Sequence, residues 1–236
     1  MSLAEAAAAE GPPRWLDKRF DAEARALPDP GCTVVAHVTD SAQVAALAEA
    51  RAVLEGSAAA PIWAFTPPAS WHMTLVDLYL HSRDGPEWRP AGMPQELFGR
   101  QADAWILERL RGFDPGETPP FRVRVLGVYA AADGLGLALE GESAAEEWRL
   151  RRLRFRIARQ AGLLLRPGHE SYRFHLTLGY LIRKPDAALV AAGDAAVAGA
   201  SQQLRARLPV LELGAPEVCL FDDMTAFRPE FLLDGT

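Results

Sequence analysis

Apolar and polar positions along the chain fall into two rhythms. Short β-branched or alternating runs mark strands at 33–38 (TVVAHV), 61–68 (PIWAFTPP, ending in a Pro-Pro turn), 71–80, 121–130, 134–141, 172–182, 210–214 and 217–223. Longer stretches carry a helical face. The first, near 14–26, is short. The second opens at Asp40 or Ser41, places Val44, Leu47 and Leu54 on one side and stops at Gly56. A third spans about 95–111 and ends at Gly112, and a fourth starts with a Ser143/Glu146 capping box and ends at Gly162. An alanine-rich fifth runs from Asp186 to about Arg207. Asp133-Gly134 between two strand runs reads as a hairpin turn, and the Pro- and Gly-rich segment 81–94 reads as a loop.

Strands and helices alternate without the regular βαβ spacing of a doubly wound sheet, so the fold class expected is α+β. The second half loosely repeats the grammar of the first, and no low-complexity linker divides them. Two intimately packed lobes within one domain over 13–236 are therefore expected. Residues 1–12, an alanine run with Glu5 and Glu10 but no basic lead, read as a disordered tail and not as a signal peptide.

Composition narrows the function more than the fold. With 236 residues, 49% of them hydrophobic, the chain can bury a sizeable core. A net charge of −6 argues against a broad phosphate footprint on long DNA or RNA, but leaves room for one nucleotide or an RNA end. Two cysteines, Cys32 and Cys219, make neither a disulfide framework nor a zinc motif. A cytoplasmic setting is expected, with no membrane partner and a monomeric chain.

The chemistry lies in a repeated tetrad. His72-Met73-Thr74-Leu75 and His175-Leu176-Thr177-Leu178 stand about a hundred residues apart, each inside a strand run. Alternation puts the histidine and threonine on one face and the apolar pair on the other. If the lobes face each other, two imidazoles and two hydroxyls converge on a groove. A neutral imidazole can take a proton from an attacking hydroxyl, and a protonated one can give a proton to the leaving oxygen. Both forms are accessible near the ordinary imidazole pKa of about 6.5. The hydroxyls can donate to phosphate oxygens, and none of these roles requires a metal or other cofactor. Four of the five histidines have Ser or Thr two residues on, so the dipeptide spacing alone discriminates nothing. His37-Val38-Thr39-Asp40 breaks at its fourth position, and His169-Glu170-Ser171-Tyr172 at its second. Only His72 and His175 meet all four positions within strands.

This pair, in a chain of this size, resembles the two-histidine phosphoesterase superfamily, which includes cyclic phosphodiesterases and RNA 2′,3′-cyclic-phosphate enzymes. The segments GCTVVAHV and FTPPASWHMTL further resemble an uncharacterised bacterial branch of it. The resemblance implies a bilobal, pseudo-symmetric fold with two antiparallel sheets facing a central groove and helices outside. It also implies metal-independent opening or cleavage of 2′,3′-cyclic or 2′,5′-linked phosphodiesters, with a small cyclic nucleotide or RNA terminus as partner.

On this reading His72 and His175 are the catalytic candidates, and Thr74, Thr177 and Arg173 the candidates for holding phosphate. Arg173 lies two residues before His175, the position Ser70 holds before His72. His37, Ser70, Trp71, Tyr79 and Tyr172 are further candidates for lining the groove, and Trp63 and Phe65 join the aromatics able to stack a base. The six arginines between Arg149 and Arg159 surround the apolar stripe Leu150, Leu153 and Ile157 and read as a solvated helix face. A binding module without turnover is the alternative function. A metallohydrolase lacks any His-x-His or HExxH spacing.

Overall fold

A computed structural model describes residues 2–234. Its elements, in chain order, are α1 (Leu3–Ala8), β1 (Gly31–His37), α2 (Ser41–Glu55), β2 (Trp63–Phe65), β3 (His72–Leu80), α3 (Gly99–Leu110), β4 (Phe121–Ala131), β5 (Gly134–Gly141), α4 (Ala144–Ala161), β6 (His175–Leu181), α5 (Ala187–Arg207), β7 (Val210–Leu213), β8 (Glu217–Phe221) and β9 (Arg228–Leu232). The strands join in the order β7-β4-β5-β6-β3-β1-β8-β9, with β2 also on β6. The sheet is antiparallel and curls into a half-barrel with helices packed around it. The two expected sheets thus meet as one, joined between β3 and β6 at the single pair Met73–Leu176.

That junction is narrow for a reason visible in the sequence. The edge of β6 that faces β3 is taken further along by β2, which pairs 63–65 with 179–181. Pro67 and Pro68, lacking backbone donors, end this pairing and turn the chain through Pro68–Ser70 before β3 begins. The expected strand over 61–68 shrinks to three residues as a result. At the far edge of β6, Gly134 (φ +139°) brings the β4–β5 hairpin so close that a Cβ there would lie 2.2 Å from the Gly179 carbonyl oxygen.

Met73, Leu75, Leu176 and Leu178 are buried beneath the sheet, as alternation requires. Above them in the core lie Leu150, Leu153 and Ile157 of α4, a helix that packs on β3 and β5. The caps of α2 and α5 are Asp40 and Asp186, whose carboxylates accept from Gln43 N and Leu189 N at 2.9 and 2.8 Å. At α4 only half of the expected capping box forms. Ser143 accepts from Glu146 N, while the Glu146 carboxylate accepts from Arg122 N and Arg149 instead.

Three further expectations are corrected. Residues 14–26 form turns with isolated bridges, not a helix; Asp17 and Ala24 there have positive φ, which a helix excludes. The tail expected to be disordered contains α1, capped reciprocally by Ser2 and Glu5, with Leu3 fully buried against α5. The strand β9 has no counterpart in the expectation, because RPEFL carries an edge-tolerated proline, Pro229, at its second position and does not alternate.

Candidate active site

The Met73–Leu176 pair fixes the centre of the site. With those two residues opposite, antiparallel register sets His72 against Thr177 and Thr74 against His175. The four polar side chains form a quartet on the face away from the core. Its two histidines are diagonal neighbours, about 7–8 Å apart in an ordinary antiparallel pair. That is room for one phosphate between them. His72, Thr74, His175 and Thr177 all line a cavity of about 860 Å³.

Each imidazole is oriented by the same local device. His72 Nδ1 lies 2.7 Å from the carbonyl oxygen of Ser70, and His175 Nδ1 lies 3.0 Å from that of Arg173. A carbonyl only accepts, so Nδ1 carries the proton in both rings and Nε2 is turned to the groove. Residue i−2 therefore acts through its backbone. The Ser70 hydroxyl is spent on Pro67 O at 2.8 Å, although the residue does line the cavity. Arg173 also lines the cavity, with an exposed side chain.

Beyond this device the two halves differ. The Thr74 hydroxyl donates to His72 Nε2 at 3.1 Å. The His72 ring packs edge-on against Phe227 (4.2 Å between centroids) and His37 (5.6 Å). Burial, and then the neighbouring His37, drive the His72 pKa down to about 3, so this imidazole is neutral across the ordinary pH range. His175 has a single ring neighbour among the described residues, Tyr172 at 5.8 Å. The Tyr172 hydroxyl donates to the Thr74 carbonyl at 3.1 Å and so ties the two motif strands together.

The remaining candidates separate. Tyr79 and Tyr172 line the cavity, the former donating to Asp84 at 2.6 Å. Trp71 does not: it is 1% exposed and part of the core, since it falls on the buried side of the Pro67–Ser70 turn. Trp63 is likewise core, and Phe65 packs against the core from its edge. His37 stands behind His72 and not on the cavity wall, with Nδ1 2.9 Å from Glu217. The ligand atoms of His37, Glu217 and Cys219 lie within 4.8 Å of one another. His37 and Glu217 already satisfy each other there, and burial holds the Cys219 thiol protonated.

Sequence reasoning missed much of the wall. His169, set aside for its glutamate at the second position, lines the cavity from the loop after α4. So do Trp15, Trp88, Arg14, Arg19, Arg83, Arg154 and Arg166. Arg154 belongs to the run read as a solvated helix face, and this one member is buried. Its neighbours follow the expectation: Arg149, Arg151 and Arg152 pair with Glu146, Glu147 and Glu117. The signal for Arg154 was its place four residues from Leu150 and one from Leu153, within the apolar stripe.

A family model described as "2H-phosphodiest: Domain of unknown function (DUF1868)" matches residues 19–133, a span that includes the first tetrad but ends before the second. The crystal structure of a conserved protein of unknown function from Agrobacterium tumefaciens superimposes with a TM-score of 0.87 at 29% identity, over 96% of this chain and 95% of that one. A Thermus thermophilus structure aligns over 80% of this chain and 86% of that one at 19% identity, with a TM-score of 0.40, too low for the folds to be compared. No curated protein matches the sequence. Over residues 19–133, just under half of the chain, the sequence is thus similar to a family described as two-histidine phosphodiesterase-like. That similarity is consistent with a phosphodiesterase-type function.

Proposed function

We propose that the protein hydrolyses 2′,3′-cyclic or 2′,5′-linked phosphodiesters of nucleotides or RNA ends, with His72 as base and His175 as acid. The observation that carries this reading is the quartet itself: two imidazoles with Nδ1 fixed on a carbonyl, crossed with two threonines around one pair of the sheet.

Because His72 is neutral, its Nε2 lone pair accepts the proton of an attacking water as the new P–O bond forms. Thr74 leaves its bond to that nitrogen and turns its hydroxyl to a phosphate oxygen. His175 acts as imidazolium. It keeps Nδ1–H on the Arg173 carbonyl and gives the Nε2 proton to the ribose oxygen whose bond to phosphorus breaks. Thr177, and Arg173 from the strand entry, donate to the non-bridging oxygens as charge grows on them. Two ring nitrogens exchange roles in each turnover, and water restores them. Every step is supplied by side chains, so the reaction is expected to be metal-independent.

The test is turnover of adenosine 2′,3′-cyclic phosphate in EDTA, followed by ³¹P NMR. The wild-type protein is expected to form a phosphomonoester. His72→Ala and His175→Ala, each with unchanged circular dichroism, are expected to lose about 10²–10⁴-fold in rate. Tight binding without product would favour the binding module, and a strict metal requirement would refute the mechanism.

A further inference from the structure

Beyond Thr74 the cavity wall becomes strongly cationic, in a chain whose net charge is −6. Two of its arginines are neutralised: Arg14 pairs with Asp133 at 3.2 Å and Arg19 with Asp29 at 2.8 Å. Arg83, Arg154 and Arg166 have no carboxylate within ion-pair distance among the described residues. Arg154, 7% exposed, donates to the Leu75 carbonyl and lies 3.8 Å over the Tyr172 ring, while its buried Nε has no hydrogen-bond partner. Arg166 holds the carbonyls of Asp77, Leu78 and Trp88, and its Nε is likewise buried and unpartnered. Arg83 makes no side-chain hydrogen bond among the described residues; its guanidinium rests between Trp15 and Trp88, 5.5 and 5.3 Å from their centroids. One carboxylate, Asp77, faces these three cations from the same wall.

Withdrawing cations from water costs several kcal/mol each unless charge returns to them. Carbonyl oxygens return part of it. Asp77 returns a further part, and one carboxylate for three cations leaves a positive excess that an anion entering the cavity would balance. The three groups follow β3 away from the quartet, Arg154 at Leu75, Arg166 at Asp77 and Leu78, Arg83 past its end. Four residues of strand from Thr74 to Leu78 cover about 13 Å, longer than one phosphate group and short enough for one nucleotide.

We propose that Arg83, Arg154 and Arg166 form a second anion subsite, which takes a phosphate of the substrate other than the diester under attack. The substrate is then a 2′,3′-cyclic nucleotide with a further phosphate on its 5′ side, either a terminal 5′-phosphate or the next diester of an RNA end. The identity of this substrate rests on the proposed role of the histidines; the anion subsite does not.

The test therefore has two arms. The first is calorimetric binding of inorganic pyrophosphate, which needs no turnover. The wild-type protein, His72→Ala and His175→Ala are expected to bind it alike, and Arg83→Gln to weaken it at least tenfold, with Arg83→Lys between. Arg83 makes no side-chain hydrogen bond among the described residues, so these variants keep the fold, as circular dichroism would check. No binding at millimolar pyrophosphate, or a loss on the histidine variants with none on Arg83→Gln, would overturn the subsite. The second arm compares kcat/KM for adenosine 2′,3′-cyclic phosphate, its 5′-phosphorylated form and an adenosine dinucleotide ending in the cyclic phosphate. At least a tenfold gain for either extended substrate, collapsing in Arg83→Gln, is expected, and the larger gain names the source of the phosphate. Equal rates on all three would overturn the assigned substrate. Absence of any turnover would instead refute the catalytic reading and leave the first arm to decide the subsite.

Discussion

The strands β3 and β6 carry the same four-residue pattern and the same Nδ1-to-carbonyl bond, yet they prepare their histidines differently. His72 is wedged between Phe227 and His37 and is held neutral. His175 meets one ring, Tyr172. The repeat thus sets geometry and tautomer, while residues outside it set the protonation of His72. Symmetric motifs suit a reaction that needs two imidazoles in line, and asymmetric surroundings suit one that needs one of them held neutral as a base.

Several substitutions would break or sharpen this contrast. The largest effect below that of the histidines themselves is expected from Thr177→Val. Among the described residues this hydroxyl makes no side-chain hydrogen bond and is open to phosphate, so kcat is expected to fall about 10–100-fold, toward the loss seen when an oxyanion donor is removed. Thr74→Val also frees His72 Nε2; its loss in steady-state kcat is expected to be several-fold smaller. Equal losses would show that the two halves are equivalent.

Next is the pH profile. A base must be deprotonated to act, so a group titrating at about 3 leaves the acid side of kcat/KM flat down to about pH 5. His37→Phe removes the neighbouring imidazole, one of the causes of that depression, and is expected to move the acid limb upward. An unmoved limb would make burial alone responsible. The smallest effect is expected from Tyr172→Phe, which removes the bond to the Thr74 carbonyl. It should lower kcat only a few-fold and cost about 1 kcal/mol in urea denaturation.

The quartet was legible in the sequence because strand alternation and a four-position match act locally. Met73 and Leu176 needed only to be apolar and in register. What the sequence hid depends on distant packing. Arg154 looked like its salt-bridged neighbours until α4 was laid across β3. Trp15 and Trp88 reach the groove from turns that carry no periodicity, and His169 comes from a loop. Trp71 was misplaced for a related reason: it precedes β3, and the turn at Pro67–Ser70 resets the alternation there. The hydrophobic pattern likewise did not reveal that both lobes share one sheet, which rests on a single cross-strand pair.

The neutrality of His72, oriented by the same Nδ1 bond as its counterpart, is measured most directly by ¹⁵N NMR of the histidine side chains as a function of pH. The account predicts that His72 stays neutral, with its proton on Nδ1, from pH 8 to about pH 5. A His72 that titrates near the ordinary imidazole value of about 6.5, or that carries its proton on Nε2, would contradict it.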